Sequence, residues 1–195
     1  MNNNVYFVAD NHFCHKNIQK FCPNTRRGRD VQHMNELMVE AWNAKVPQNG
    51  TVWCLGDFSF GTQEDTLNYL LRLNGTKHFV FGNHDKVVRN NVAVQKHFET
   101  LQEYKEISMG ETKGSKIKII MSHYPIREWN HMHHGAYHLF GHVHGTLDDK
   151  VWGRSMDVGI DTRPGADMAP WSWEEIHSIL KDRETLPHHG GFRTT

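Results

Sequence analysis

Four short clusters of residues that could bind metal ions are the most informative feature of the sequence. The clusters are Asp10-Asn11-His12, Gly56-Asp57, Gly82-Asn83-His84-Asp85 and Gly141-His142-Val143-His144, and a lone histidine, His123, precedes the last of them. Each cluster directly follows an apolar run, so each is expected where a strand ends and a loop begins. Together they supply seven side chains with oxygen or nitrogen donors: Asp10, His12, Asp57, Asn83, His123, His142 and His144.

These donor types predict a centre of two divalent metal ions. Imidazole suits zinc, iron, manganese and nickel, carboxylate and amide oxygens favour harder ions, and the lack of thiolates argues against a structural zinc site. Two ions about 3.5 to 4 Å apart can hold an attacking hydroxide and clamp the oxygens of an in-line displacement at phosphorus. The ligand that they share must be a carboxylate. We expect Asp57 in this role, because Gly56 lets the backbone come close to the ions.

The motifs Asp-x-His, Gly-Asp, Gly-Asn-His-Asp, His and Gly-His-x-His, in this order, resemble those of the calcineurin-like metallophosphoesterase superfamily. The resemblance runs from about Val5 to Ile160, which is most of the chain. It implies that one metal ion is held by Asp10, His12, Asp57 and His144. It implies that the other ion is held by Asp57, Asn83, His123 and His142. His84 would then be the acid that faces the substrate, and Asp85 would orient His84.

One position departs from the family pattern. Many members carry an arginine a few residues after the Gly-Asp motif, whereas this chain reads Asp57-Phe-Ser-Phe-Gly61. Other residues must therefore bind the phosphoryl group. The candidates for substrate contact are Arg127, four residues past His123, and His15, three residues past His12. For Arg127, the alternative is an ion pair with an acidic residue. For His15, the alternatives are a surface position or a position behind the metal ligands.

The hydrophobic pattern predicts an α/β fold of two packed mixed β-sheets flanked by helices, which the family resemblance also implies. Strands are predicted at 5–9, 52–55, 79–81, 104–109, 117–121, 138–140 and 156–160. The strands 104–109 and 117–121 are expected to form an antiparallel hairpin. A helical stripe runs from Met34 to Trp42, and capping boxes at Thr62 and Ser172 each predict the start of another helix.

Length and composition favour a single enzyme domain. The 195 residues are assigned to one metallophosphoesterase domain, 1–186, and a polar C-terminal tail, 187–195, which is expected to fray. Lysine plus arginine and aspartate plus glutamate both number 22, so no long-range field would attract an extended nucleic acid or a membrane. Three cysteines without Cys-x-x-Cys spacing, and no signal peptide, favour a cytoplasmic protein with reduced thiols.

The predicted activity is the metal-dependent hydrolysis of a phosphate ester. Manganese is the ion expected to support it in vitro, and zinc, iron or nickel could also occupy the centre. The metal ions activate water, and His84 serves the leaving oxygen. One alternative is a phosphomonoesterase or protein phosphatase of the same superfamily. Another is a metal-binding module without turnover, although the intact His84 and Asp85 argue against it. A metallo-β-lactamase-type site is disfavoured, because Thr146 and Leu147 stand where it would need Asp and His.

A small, nucleotide-like phosphodiester is the expected substrate. A monoester dianion carries more charge than a diester and needs further cations, and Arg127 is the only candidate near the ligand motifs in the sequence. The second substituent of a diester could lie on aromatic surface near the ligands, with Phe58, Phe60, Tyr124 and Trp129 as candidates. The histidine-rich loop 129–138, which contains His131, His133, His134 and His138, is expected to be solvated and could face the substrate.

Overall fold

The structure of the chain is a computed structural model that describes residues 4–110, 116–147 and 152–187. Residues 188–195, which form nearly all of the predicted tail, lie outside this part of the chain. Within the described residues, no helix has the length and apolar character that crossing a membrane requires.

The fold contains two β-sheets, as the sequence predicts. In the described residues the strands are β1 (Val5–Val8), β2 (Thr51–Cys54), β3 (Thr76–Val80), β4 (Thr100–Gln102), β5 (Tyr104–Met109), β6 (Ile117–Ser122), β7 (Tyr137–Phe140), β8 (Ser155–Asp157) and β9 (Trp171–Ser172). One sheet has the order β4-β3-β2-β1-β9 and the other β5-β6-β7-β8. β1 to β4 pair in parallel and β9 is antiparallel to β1. β5 and β6 form the predicted antiparallel hairpin, and β7 and β8 continue in parallel.

Helices flank the first sheet, and their caps follow the sequence. The α-helices of the described residues are α1 (Ile18–Phe21), α2 (Val31–Lys45), α3 (Gln63–Leu70), α4 (Lys86–Asn90), α5 (Val92–Gln95) and α6 (Trp173–Leu180). Both predicted capping boxes are present, with Thr62 at the start of α3 and Ser172 at the start of α6. The predicted stripe of α2 is buried, with Trp42 only 1% exposed. These contacts fix the helices against the sheet.

Alternate residues of β1 belong to two different hydrophobic clusters. Val8 packs in the cluster that includes Trp42 of α2, and Phe7 packs in the cluster that includes Leu139 of the second sheet. Side chains of a strand alternate between its two faces, so β1 lies between a helical layer and the second sheet. A strand that is buried on both faces has a continuous run of apolar residues, which explains the apolar run directly before Asp10.

His138 does not belong to a solvated loop, so this part of the sequence prediction is wrong. His138 lies on β7 and is fully buried. Its Nε2 accepts a hydrogen bond of 2.9 Å from the Ile126 backbone N–H, and its Nδ1 lies 3.2 Å from the Ile120 carbonyl oxygen. Burial lowers the pKa of His138 to about 4, so the ring is neutral. It secures the segment that follows His123.

Candidate metal centre

The loops after β1, β2, β3, β6 and β7 bring all seven predicted metal ligands together. Parallel neighbours end at the same edge of a sheet, so the loops that follow them meet there. Backbone hydrogen bonds join the loops: Asp10 N–H donates to the Gly56 carbonyl at 3.0 Å, and Gly141 N–H donates to the His123 carbonyl at 2.9 Å.

The first group of donors consists of Asp10, His12 and His144. Their ligand atoms all lie within 4.8 Å of one another, a spacing that a metal ion could bridge. His12 Nε2 is 3.7 Å from Asp10 Oδ1, and His144 Nε2 is 3.9 Å from the same oxygen. Both nitrogens therefore face one carboxylate oxygen at more than hydrogen-bond distance.

The second group consists of Asp57, His123 and His142, whose ligand atoms meet the same criterion of 4.8 Å. Asn83 adjoins it, with Oδ1 3.0 Å from His123 Nε2. Asp57 Oδ2 is 3.4 Å from His123 Nε2 and 3.7 Å from His12 Nε2 of the first group. The carboxylate of Asp57 thus lies between the two groups, where a shared ligand is required.

Unpaired polar atoms test whether the first group fits a cation. Asp10 Oδ1 and both ring nitrogens of His12 are buried and, among the described residues, have no hydrogen-bond partner. Buried polar atoms normally have partners, because leaving one unpaired costs about 1 to 3 kcal/mol. A divalent ion between these atoms would satisfy Asp10 and one His12 nitrogen together. The donor set, which is carboxylate, imidazole and amide without thiolate, suits such an ion.

The two groups differ in protonation. Burial, together with the charges of Arg26 and His144, lowers the pKa of His12 to about 3, so His12 is a neutral imidazole. Burial would also lower the pKa of His123, but the hydrogen bond to Asp57 and the charges of Asp10 and Asp57 outweigh it and raise the pKa to about 9. Without a metal ion, His123 therefore holds a proton that His12 lacks.

Five of the seven candidate ligands have a left-handed backbone. Their φ angles are 57° at Asp10, 52° at His12, 54° at Asp57, 72° at His142 and 49° at His144. Left-handed conformations cost energy for residues other than glycine, and they accumulate where function requires a particular geometry. Such strain at these positions supports a functional site.

Gly56 is required for the close approach of the loops. Its φ is +88°, and a Cβ atom there would lie 2.5 Å from the Gly82 nitrogen and 2.7 Å from His123 Nδ1. The space that a side chain would need is occupied by the loop that carries Asn83 and by a candidate ligand. This is the close backbone approach that the sequence predicts beside Asp57.

His84 reaches the site, whereas Asp85 has other contacts than the predicted one. The His84 backbone N–H donates to Asp57 Oδ1 at 2.8 Å, and its exposed ring lies 4.8 Å from that of Phe60. The Asp85 carboxylate accepts backbone N–H groups from Asp57 at 2.9 Å, Phe58 at 2.9 Å and Gly82 at 2.6 Å. In the described structure it makes no hydrogen bond to the His84 ring. Asp85 joins two ligand loops instead of orienting His84.

A cavity of about 780 Å³ opens beside the candidate ligands His12, His142 and His144. Its other lining residues are His15, Ile18, Phe21, Cys22, Pro23, Asn24, Thr25, Phe60, His84, Val143 and Thr146. His15 thus lies where substrate contact was predicted, with its ring 4.1 Å from that of Phe60. Burial and the neighbouring His12 and His84 lower the pKa of His15 to about 4.

Arg127 does not line this cavity. Its guanidinium lies over the Trp152 ring, 4.8 Å from the centroid, and it lines a second cavity of about 710 Å³. That cavity contains none of the candidate metal ligands in the described part of the chain. The placement therefore gives no support to the predicted contact of Arg127 with phosphate.

The predicted aromatic surface is divided between core and cavity. Phe58 and Trp129 are buried and belong to hydrophobic clusters, so they offer no substrate surface. Phe60 and Tyr124 are 39% and 49% exposed, and they contact ligands of different groups. Phe60 stacks on His12, and the edge of Tyr124 meets His142. The sequence prediction omitted Phe21, which is 70% exposed and lines the cavity.

Sequence reasoning also missed Arg26 and Asp161, which lie directly behind the first group. His144 Nδ1 is 2.6 Å from Asp161 Oδ2, and the buried guanidinium of Arg26 pairs with the same carboxylate. A signal for Asp161 was present, because it directly follows the predicted strand 156–160, as the other ligands follow theirs. Arg26 lies in a basic loop, and no pattern in the sequence marks it.

Comparisons with known proteins support the fold. No family model matches the sequence. The chain is similar to the Gene 66 protein of Mycobacterium phage L5, with 26% identity over 183 residues that cover 81% of this chain and 86% of that protein. It is also similar to the solved structure of protein AQ665 from Aquifex aeolicus, a protein of unknown function, with a TM-score of 0.67 and 24% identity over 90% of this chain and 98% of that chain.

Pseudomonas putida nuclease MPE matches with a TM-score of 0.42 and 17% identity over 73% of this chain and 61% of that chain, which is too weak a similarity to inform the fold or the function. The two mixed sheets flanked by helices, and the position of each motif directly after a strand, are observed in this chain itself. The ordered motifs that resemble those of the calcineurin-like metallophosphoesterase superfamily therefore lie at the strand ends of a two-sheet α/β fold.

Proposed function

We propose that the chain is a metal-dependent phosphoesterase whose preferred substrates are phosphodiesters of nucleotide type. The observation that carries the proposal is the arrangement of two facing donor groups with Asp57 Oδ2 between His12 and His123, beside an open cavity. The unpaired atoms of Asp10 and His12 fit a cation in the first group. A single shared carboxylate is what a binuclear centre needs.

The residues would share two ions as the family resemblance implies. Asp10, His12 and His144 would hold one, Asn83, His123 and His142 would hold the other, and Asp57 would bind both. When bound, two divalent ions lower the pKa of water and neutralise charge on the phosphoryl oxygens.

The side chains around the centre have separate tasks. His84, exposed at the cavity wall, can donate a proton to the leaving oxygen, for which general acid catalysis gives roughly 10²- to 10⁴-fold. Burial, and next the charge of Asp161, raise the pKa of the Cys22 thiol to about 11. At neutral pH this thiol is protonated and a poor nucleophile, so attack by water without a covalent enzyme intermediate is favoured.

The charge of the cavity favours a diester over a monoester. Among the lining residues, all of which belong to the described part of the chain, there is no lysine or arginine. Arg26 lies nearby but is buried against Asp161 and two backbone carbonyls. A monoester dianion would therefore depend on the metal ions and imidazoles alone, whereas a diester carries one negative charge less.

The apolar wall offers a place for the second substituent of a diester. Phe21 and Phe60 are exposed beside His15, with ring centroids 6.1 Å and 4.1 Å from the His15 ring. Planar groups stack on such aromatic surfaces, and for nucleic-acid bases this is worth about 1 to 3 kcal/mol. A nucleoside or another planar ester group suits this wall.

The test compares matched substrates with manganese supplied to the metal-free protein. We expect a larger kcat/KM for the diester bis(4-nitrophenyl) phosphate than for the monoester 4-nitrophenyl phosphate. The kcat/KM for bis(4-nitrophenyl) phosphate should also exceed that for methyl 4-nitrophenyl phosphate, a diester that has the same leaving group but lacks the second ring. A clear preference for the monoester would overturn the diester proposal. Two bound ions without turnover of any ester would identify a metal-binding module instead.

The role of His84 is tested with a matched histidine control. His84→Asn should retain metal and fold but lose on the order of 100-fold or more in rate on an ester with a poor leaving group. The loss should be smaller on a nitrophenyl ester, whose leaving group needs little protonation. His97→Asn, at an exposed position away from the cavity, should leave both rates unchanged. Equal losses of His84→Asn on both esters would contradict an acid role.

A further inference from the structure

A buried ion pair joins two segments that are far apart in sequence. The side chains of Arg26 and Asp161 are 0% and 2% exposed. Arg26 Nε donates to Asp161 Oδ1 at 2.8 Å and Nη2 donates to Oδ2 at 2.6 Å, which makes the contact bidentate. The Thr25 hydroxyl adds a hydrogen bond of 2.5 Å to Oδ1. The carboxylate is therefore fixed in position and orientation.

Asp161 in turn fixes the ring of His144. Its Oδ2 lies 2.6 Å from His144 Nδ1, a distance at which Nδ1 must carry the proton. With Nδ1 protonated, the lone pair of the neutral ring is on Nε2, the nitrogen that faces Asp10 Oδ1 in the first group. The carboxylate thus selects the tautomer that a metal ligand needs and limits rotation of the ring.

The same guanidinium holds the loop that carries the other two donors of the first group. Arg26 Nη2 donates to the Asp10 carbonyl at 2.5 Å, and Nη1 donates to the Asn11 carbonyl at 2.7 Å. Planar Arg can make these bonds and the bidentate pair at once, which Lys cannot. One side chain therefore links the Asp10–His12 loop with Asp161 and, through it, with His144.

A metal ion at Asp161 is a weaker explanation of these contacts. Cys22, His144 and Asp161 have donor atoms close enough to form a metal site of their own. However, both Asp161 oxygens already accept hydrogen bonds from Arg26, and the guanidinium charge would repel a cation there. The Cys22 Sγ lies 3.8 Å from His144 Nδ1, and burial raises the pKa of its thiol to about 11, so it is protonated at neutral pH.

We propose that Arg26 and Asp161 are positioning residues for the metal centre. They determine how tightly the first group binds its metal ion, and they do not affect the affinity of the second group for its ion. The proposal rests on the proposed metal centre and not on the identity of the substrate. Removing a partner that orients a metal ligand typically lowers metal affinity about 10- to 100-fold. Here the loss of affinity should affect only the ion of the first group.

The experiment measures manganese binding to the metal-free protein by calorimetry, alongside its thermal unfolding. Asp161→Asn should weaken one ion about 10- to 100-fold and leave the other unchanged. Arg26→Lys keeps the charge but loses the bidentate geometry, so it should weaken the same ion even if Asp161→Asn fails to fold. The matched control is Asp167→Asn, which breaks an Arg–Asp pair with Arg163 at 2.6 Å, outside the metal centre. It should leave both ions unchanged.

A measurement on the unmodified protein keeps the proposal testable if both variants unfold. Imidazole ¹⁵N NMR of the metal-free protein, at a pH where the ring is neutral, should show His144 protonated at Nδ1. Protonation at Nε2 would overturn the proposal. Folded variants that bind both ions as tightly as the wild type, or that lose both ions equally, would also overturn it. Absence of phosphoesterase activity would affect none of these readouts.

Discussion

The two halves of the candidate metal centre are held in different ways. The first half, Asp10, His12 and His144, is positioned by the side chains of Arg26 and Asp161, which come from loops 135 positions apart. The second half consists of Asp57, Asn83, His123 and His142, and its supports are mainly backbone groups. His123 Nδ1 bonds the Leu55 carbonyl at 2.8 Å, and Asp85 binds the amides beside Asp57.

Because of this difference, substitutions should affect the two halves differently. The second half depends on the carboxylate of Asp85 and on the strands β2, β3 and β6, which set the positions of the backbone groups. Side chains can be removed, so the first half depends on a buried ion pair whose loss leaves one charge without its partner. Substitution of Arg26 or Asp161 should therefore weaken the ion of the first half, whereas substitution of Asp85 should act chiefly on the stability of the fold.

The largest expected effect is at Asp57, where the two halves meet. Asp57→Asn removes the charge and one of the two oxygens that would bind ions, so both metal affinities should fall, each by more than the roughly 100-fold of an outer partner. His12→Ala removes a donor of the first half only, so one ion should be lost and the other retained. Elemental analysis and calorimetry after reconstitution with manganese measure both outcomes. Two ions bound normally by Asp57→Asn would contradict the shared ligand.

A smaller effect, on stability, is expected at Asp85. Its carboxylate accepts three backbone N–H groups, and an amide has one oxygen with which to replace two. Because hydrogen bonds to charged groups contribute about 1.5 to 3 kcal/mol each, Asp85→Asn should reduce the free energy of unfolding of the metal-free protein by roughly 3 kcal/mol or more. Urea unfolding measures it, with the exposed Asp182→Asn as control.

An unchanged free energy of unfolding in Asp85→Asn, together with a specific loss of rate, would instead restore the predicted role beside His84. That outcome would also remove the contrast between the two halves, because both would then depend on side chains that act on function alone.

The sequence predicts the ligands of both halves better than it predicts the residues that hold them. Apolar runs that end in Asp, Asn or His locate the strands and the donors after them, since strand and ligand are adjacent in the chain. The apolar run of β1 and the capping boxes of α3 and α6 are also local signals, and the structure confirms them. Local patterns were therefore enough to predict a ligand that is positioned by the strand directly before it.

Tertiary contacts could not be predicted in this way. Arg26 lies in the loop before α2, 135 positions from Asp161, and no spacing in the sequence encodes their contact. Asp85 has the residue type of the family motif, but its partners are set by how two loops pack. Arg127 was predicted to contact the substrate because it is close to His123 in the sequence. In the structure its guanidinium lies over the Trp152 ring and lines another cavity.

The smallest predicted effect is a pH dependence of metal binding that differs between the halves. Metal binding at Nε2 of His123 must displace the proton that its raised pKa of about 9 retains, whereas His12, with a pKa of about 3, has none to release near neutral pH. The affinity for the second ion should therefore rise up to about tenfold per pH unit from pH 7 and level off near pH 9. The proton on His123 stabilises the metal-free fold below its ordinary pKa of 6.5, and this contribution is lost as the pH rises through 9.

Two variants assign the proton that is released. Burial lowers the pKa of His144, but the hydrogen bond to Asp161 outweighs it and raises the pKa, so His144 gives the first half a pH dependence of its own. Calorimetry at pH 8 in buffers of different ionisation enthalpy counts the protons released with each ion. His123→Gln should lose the proton that is released with the second ion, about one per chain, while His12→Ala should retain that proton even though it loses the first ion. The same count in both variants would mean that Asp57 does not hold a proton on His123, and the two halves would then not differ in protonation.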